Sequence, residues 1–511
     1  MSDATESTHD LIYGIDDVPP PGETVFLGLQ HFLTMVGATV VIPFVVQQAL
    51  GFDNMQLGLV IATMFFCSGI STLLQSTLGN RLPIIQGGTF SLLPPLFAVV
   101  GFAALTKEGL ADAGVAPEDF WRHRMLAVQG AIILGSVVEI IVGYTGLVGR
   151  LRKYIGPITI APTIALIGLA LFGVGAPWAG QDWWMGGLTI FLVIIFSQYL
   201  RNAHMFFTMF PILAVIVIMW SAAWFGNQMG HYQPGDPGFM NLAIVDNAPW
   251  FRVPSPLQWG MPTFGLAAFI GMLAGFVASI VESIGDYYAC ARLSGAPIPD
   301  EKTINKGIGM EGVGSLIAGI FGTGNGTTSY SENIGAIALT RVGARRVIQA
   351  AAIILLTLGL FGKFSAVVAS IPKPIVGGMF CALFGMITSV GLSNLQFVDL
   401  NSARNLFIIG FSFFMGLSLP TYFNASPLVI EGSCSIAGNE LLYQSLADIV
   451  NAIGKSGMSV GAILAFILDN TVPGSDEERG LVAWLQADSQ SDTNTDTVPF
   501  LETATDETET E

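Results

Sequence analysis

Seven apolar stretches, one long polar loop and seven more apolar stretches constrain this chain more than any other pattern in it. The first set begins near Val25 and continues through Met55–Leu78, Thr89–Leu105, Leu126–Gly146, Ile158–Val174, Met185–Leu200 and Met205–Phe225. The polar, Pro/Gly-rich stretch from Gly226 to Gln258 separates it from the second. That set runs Pro262–Ile284, Gly309–Gly322, Ser331–Val342, Val347–Leu360, Val367–Val390, Leu406–Leu419 and Met458–Leu468. Only 11% of the residues are charged, against roughly 25% in a soluble protein. The expected fold class is an all-α polytopic membrane protein with fourteen transmembrane segments. An odd-numbered unit copied in tandem sits inverted in the membrane, so the expected plan is a 7+7 inverted repeat. The boundaries read as an acidic N-tail over 1–23, a first repeat over 24–226, an outer loop over 227–261, a second repeat over 262–472 and an acidic, disordered C-tail over 473–511.

Charge is scarce enough to be informative wherever it falls. Glu282 and Asp286 follow an uncharged run from Phe264 to Val281 and are spaced i, i+4, on one helical face. The next cation is Arg292; at ~1.5 Å per residue it lies ~15 Å beyond Glu282, half of a ~30 Å hydrocarbon core. Glu282 is thus expected near the midplane, where an ionisable side chain marks a substrate or proton pathway. Glu139 also falls inside an apolar run and is expected to make an interhelical hydrogen bond. Two runs are short and interrupted, in equivalent places of the two halves. The third follows Pro83–Thr89 and contains Pro94 and Pro95; the tenth follows the glycine-rich 322–329 stretch. Such a pair points to a central binding site.

The net charge of −17 belongs to the tails, which hold seventeen acids and one basic residue, so nothing basic invites nucleic acid. With the N-terminus placed inside, the inner loops hold twelve Lys and Arg and the outer loops six, which puts both termini in the cytoplasm. The four cysteines show no metal spacing. No nucleophile–base or metal cluster is visible, so an enzyme is not expected and no cofactor is called for. Gly322–Gly326 lacks the Lys-Ser/Thr of a phosphate loop.

The tenth segment carries Glu332, Asn333, Gly335, Thr340 and Arg341, and resembles the signature [Q/E/P]-N-x-G-x-x-x-x-T-[R/K/G] of the nucleobase–ascorbate transporter (nucleobase:cation symporter-2) family. Gln30-His31, Gln86-Gly87-Gly88-Thr89-Phe90 and Glu282-Ser283-Ile284-Gly285-Asp286 resemble three further motifs of that family, in the right order. The resemblance implies a core domain of segments 1–4 and 8–11 and a gate domain of segments 5–7 and 12–14. It also implies a short strand followed by a half-helix in segments 3 and 10, an elevator-type alternation and a homodimer. It places Glu282, Glu332, Phe90, Gly88, Thr89 and Ser331 around the substrate. Asp286, Glu282 and His31 would handle the coupling proton or sodium ion. Gln30, Gln86, Asn333, Gly335, Thr340 and Arg341 would be structural.

The chemistry is consistent with that implication. A nucleobase edge alternates N–H donors with carbonyl acceptors, and carboxylates accept from such N–H groups. Glu332, Ile334, Ala338 and Arg341 resemble uracil permeases, whereas Asp286 and Tyr287 resemble purine transporters; uracil is favoured, with xanthine, urate or guanine as the alternative. Proline in place of Glu332 would have favoured ascorbate. A sulfate-transporter-like anion exchanger shares the architecture, but two central glutamates would repel its substrate.

Overall fold

The computed structural model describes residues 11–148, 154–428, 440–482 and 484. The outer parts of both acidic tails, the Arg150, Arg152 and Lys153 cluster and Cys434 lie outside the described residues.

The first two helices, α1 (Pro21–Leu50) and α2 (Asn54–Thr77), are joined by a tight turn. Gly51 ends α1 at φ 87°, and the Asp53 carboxylate starts α2 by accepting from the Met55 and Gln56 amides at 2.7 and 3.1 Å. Strand β1 (Gln86–Gly88) comes next, then a 3-10 turn at Phe90–Leu92 and the short helix α3 (Leu93–Val100). The half continues through α4 (Phe120–Tyr144), α5 (Pro157–Ala170), α6 (Phe172–Ala179), α7 (Trp183–Ile194) and α8 (Pro211–Gln228).

The second half begins with α9 (Leu266–Leu293) and α10 (Glu301–Phe321). Strand β2 (Thr327–Ser329) and the half-helix α11 (Ser331–Thr340) follow. The chain then forms α12 (Arg345–Leu360), α13 (Gly362–Ala369), α14 (Lys373–Ser393), α15 (Ala403–Ala425), α16 (Glu440–Lys455) and α17 (Gly457–Thr471).

Among the described residues eight helices are long and apolar enough to cross a membrane, nine if the α16–α17 pair, bent by 93°, is one span. Fourteen apolar runs are therefore not fourteen long helices. The third and tenth runs are divided between a strand and a half-helix. The ninth forms α10, whose Glu301, Lys302, Lys306 and Glu311 lower its hydropathy, and the eleventh forms a 16-residue helix that opens on two arginines.

The two strands pair antiparallel, with Gln86 opposite Ser329, Gly87 opposite Thr328 and Gly88 opposite Thr327. Three-residue strands are too short to hold themselves, and backbone polar groups at this depth must find partners inside the protein. The neighbouring helices supply them. Thr72 of α2 accepts from the Gln86 amide at 2.9 Å and donates to its carbonyl at 3.3 Å. Ser315 of α10 does the same for Thr327, at 3.0 and 3.1 Å. The Asn325 side chain extends the ladder by one rung: it accepts from the Thr89 amide at 3.1 Å and donates to the Thr89 carbonyl at 3.0 Å. Ser279 and Ser283 of α9 reach the Thr328 hydroxyl at 3.0 and 3.1 Å. Gly87 lies under the Tyr330 ring, where an added Cβ would come within 2.4 Å of the ring carbon Cζ.

Candidate functional site

Helix α9 brings Glu282 and Asp286 to the level of the strands, one turn apart, as their spacing requires. Helix α11 starts where β2 ends, which puts Ser331 and Glu332 in its first turn beside free backbone N–H groups. The two elements are tied together: the Ser331 hydroxyl donates to Asp286 Oδ1 at 2.8 Å, and the buried Asp286 Oδ2 has no hydrogen-bond partner among the described residues. Ser331 and Glu332 are exposed and Glu282 is half-buried. Gly285 and Gly335 flank them, and a Cβ at either would meet open space. Open space therefore lies beside α9 and α11, a cavity that Ser331 and Glu332 face and Glu282 edges, while Asp286 is buried behind Ser331. Gly335 is not demanded by packing; it keeps that cavity clear.

Electrostatics unites the acids. Glu282 feels the charges of Glu332 and Glu311, and Asp286 those of Glu282, Glu311 and Glu332. Among the described residues the ion pairs involve Asp16, Asp469 and Asp476, and none of these four acids.

Phe90 is half-buried, its ring 6.4 Å from Phe384 of α14 and nearly perpendicular to it. Phe384 stacks on Phe380 at 5.1 Å. Gly88 and Thr89, expected at the substrate, are turned away from the cavity. Gly88 packs against Ile42 and Met64; Thr89 is 1% exposed, and its hydroxyl shares a hydrogen bond with Ser91 at 2.7 Å and caps the 3-10 turn.

His31, expected at the coupling ion, is also buried away from the cavity. Asn333 Nδ2 donates to its Nδ1 at 2.9 Å, which places the ring proton on Nε2. Asn333 Oδ1 accepts from the Ile85 amide at 2.7 Å, so this one side chain joins α11, α1 and the approach to β1. Gln86 Nε2 donates to Ser329 Oγ at 2.9 Å and to Glu311 Oε1 at 3.3 Å. Gln30 faces Met209, its Nε2 2.9 Å from the sulfur. Thr340 bonds back to the Ala336 carbonyl at 2.8 Å, and Arg341, at φ 56°, ends α11. The Arg341 carbonyl accepts from the Ile12 amide at 2.9 Å, so the N-terminal segment is docked against the far end of the half-helix.

Sequence reasoning missed Glu311. It is 1% exposed on α10 and accepts from Ser329 as well as Gln86. The available signal was a lone acid in the glycine-rich Gly307–Gly319 stretch. Asn325 was passed over when the phosphate-loop reading of its stretch was set aside. Glu139 corrects an expectation: among the described residues neither carboxylate oxygen has a hydrogen-bond partner, because the side chain borders an apolar recess lined by Val138, Leu273, Val277 and Ile280.

Comparison with known proteins agrees with these motifs. The model of the permease family matches residues 22–425. Solute carrier family 23 member 2 of Homo sapiens is 47% identical, over 93% of this chain and 76% of its own length. Nucleobase-ascorbate transporter 1 of Arabidopsis thaliana is 37% identical, over 94% of this chain and 93% of its own. Among solved structures, the transmembrane domain of the cyanobacterial bicarbonate transporter BicA superposes with a TM-score of 0.53 at 14% identity, over 86% of this chain and 99% of that one. At that identity the likeness concerns the fold alone. The chain is a multi-pass membrane transporter, not an enzyme, and belongs to the nucleobase–ascorbate transporter family.

Proposed function

We propose that this protein is a secondary active transporter that imports a nucleobase, uracil favoured, in symport with protons. The observation that carries the reading is that Glu332 and Glu282 border one cavity, with Asp286 buried behind them through Ser331, and that among the described residues no cation is paired to any of the three. Unpaired acids at that depth suit a neutral ring rich in N–H donors. They also suit protons, since a buried carboxyl without a partner cation holds one in preference to ionising. Binding that differs between protonated and ionised forms links substrate to proton. Phe90, packed against Phe384, adds an aromatic ring to the proposed substrate contacts.

The transport cycle in this proposal is an elevator. Fourteen segments in two inverted repeats form a core that carries the strands and half-helices and a gate that includes α14. The homodimer and the cytoplasmic position of both termini belong to the same proposal; the excess of Lys and Arg in alternate loops supports the latter. The fold shared with a bicarbonate transporter keeps anion exchange as the competing class, and the names of the plant relatives add ascorbate. Both substrates are anionic at neutral pH and would face unpaired acids.

The test is uptake of labelled uracil into proteoliposomes. Xanthine, urate, guanine, ascorbate and bicarbonate serve as competitors, with and without an inward proton gradient, and Glu332→Gln is run alongside. Gradient-driven uracil uptake that resists the competitors and collapses in the variant is the expected result. Uptake of an anion instead, or a variant that transports uracil normally, would overturn the assignment.

A further inference from the structure

Just past the end of α2 the chain turns through Arg81, and α12 opens on Arg345 and Arg346. All three arginines line one cavity of about 300 Å³, together with Ser76, Thr77 and Gln349. That volume lies at the lower end of ligand sites and suits a headgroup-sized anion. The N-terminal segment closes one side through Ile15, Asp16 and Val18. It is joined to α12 there: the Arg345 amide donates to the Ile15 carbonyl at 3.1 Å, and the Arg345 guanidinium pairs with Asp16.

The cavity carries more positive charge than its own walls neutralise. Asp16 is the one acid in its lining, so the three guanidiniums leave two positive charges in excess. The Asp16 side chain is 76% exposed, and a pair so open to water is weak. Arg81 makes no ion pair or side-chain hydrogen bond among the described residues. Arg346 donates to Gln349 Oε1 at 3.3 Å, which leaves the amide N–H groups of Gln349 to donate elsewhere. The Ser76 hydroxyl is spent on the Thr72 carbonyl at 2.7 Å, and that of Thr77 on the Leu73 carbonyl. The groups still available are donors, nearly all of them charged.

Two of the placements run against ordinary preference. Cations in the first turn of α12 meet the positive end of its dipole, and that helix has no side-chain cap. Arg81 sits at φ 63°, in the left-handed region that suits glycine, held by the bond from its amide to the Gln75 carbonyl at 3.1 Å. An anion in the cavity makes sense of both, and the planar fork of a guanidinium matches the oxygens of a phosphate. The surroundings indicate what carries that phosphate. On α12, Arg346, Gln349 and Ile353 fall on one face at i, i+3 and i+7, and Ile353 is 57% exposed. Leu78, next in the chain to Thr77, is 56% exposed. A headgroup in the cavity would lay its acyl chains along this apolar strip, whereas a soluble anion gains nothing from it.

We propose that Arg81, Arg345 and Arg346 form a binding site for a phosphate-bearing anion, held as the headgroup of an anionic phospholipid. The bound headgroup bridges the end of α2 to the start of α12 and, through Arg345, reaches the N-terminal segment. The site is separate from the substrate cavity and stands whatever the transported molecule is.

The test is lipid titration of the purified full-length protein in detergent, with bound lipids counted by native mass spectrometry. Dioleoyl phosphatidylglycerol is the probe and dioleoyl phosphatidylcholine the zwitterionic control. One phosphatidylglycerol is expected to be retained in preference to phosphatidylcholine. Arg81→Gln and Arg346→Gln are each expected to weaken it about fivefold. Arg292→Gln removes an exposed cation at the end of α9, outside the cavity, and is expected to leave binding unchanged. Equal retention of the two lipids, or equal losses in Arg292→Gln and Arg346→Gln, would mean general attraction to a basic surface and overturn the proposal. If the arginine variants fail to fold, Asp16→Asn gives an independent reading. It removes the carboxylate that competes for Arg345 and must tighten phosphatidylglycerol binding; binding that is unchanged or weaker refutes the site. A final arm adds pyrophosphate to the lipid-loaded protein. Phosphatidylglycerol is expected to stay bound. Displacement by pyrophosphate, with pyrophosphate binding weakened in Arg346→Gln, would assign the site to a soluble phosphate and overturn the phospholipid.

Discussion

Asn333→Ala is expected to be among the most damaging single changes outside the acids. The side chain is fully buried and makes two hydrogen bonds, accepting from the Ile85 amide at 2.7 Å and donating to His31 Nδ1 at 2.9 Å. Truncation leaves both partners unpaired in an interior that water does not reach. A buried polar group stripped of its partner costs about 1–3 kcal/mol, so the two together give about 2–6 kcal/mol. Asn333→Asp separates the contributions. It retains an acceptor for the Ile85 amide, and His31 meets the second oxygen by moving its ring proton to Nδ1, so its cost is expected below about 2 kcal/mol. Unfolding by dodecyl sulfate titration, followed by tryptophan fluorescence, would give the order wild type, Asn333→Asp, Asn333→Ala. A loss under about 1 kcal/mol for alanine, or equal losses for both variants, would refute the claim that this residue ties α11 to α1 and the approach to β1.

Two further outcomes follow from packing and charge. Gly87→Ala drives a methyl group into the Tyr330 ring and is expected to cost about 1–3 kcal/mol, with recovery in the Gly87→Ala/Tyr330→Leu pair; the same titration reads both. Asp469 is 2% exposed and pairs with Arg404 at 3.1 Å and Arg479 at 3.0 Å, so Asp469→Asn strands two largely buried guanidinium groups. Its expected cost is about 3–5 kcal/mol, read as a lower unfolding midpoint, and an unchanged midpoint would show that the two arginines find other partners.

Different residues were legible for different reasons. The i, i+4 acids of α9 announced themselves because an uncharged run leaves an acid nowhere to hide. The strand and half-helix character of segments 3 and 10 could be read from broken apolar runs and their motifs. Thr89 could not be placed, because the sequence does not say which way a side chain turns at the end of a three-residue strand. The rung built by Asn325 and the register bonds of Thr72 and Ser315 turned it inward. His31 carried a coupling expectation from its motif, yet its ring is used up on one side by Asn333, a partner 302 positions away. Glu311 lies inside the ninth apolar run and was not singled out there; α10 carries it to the back of the strands, where Gln86 and Ser329 donate to it.

The sequence by itself determined the solvent, the transporter class and the family, since hydropathy and local motifs are properties of consecutive residues. Tertiary structure alone decided which acids meet. Glu282, Asp286 and Glu332 come within range of one another's charge because an antiparallel pair of short strands, drawn from the two halves, fixes α11 beside α9. Glu139 comes within range of the charge of Glu311 because glycines let α4 and α10 cross at backbone contact. Charge interaction depends on distance through space, and that distance is set by long-range pairing which no run of neighbouring residues encodes.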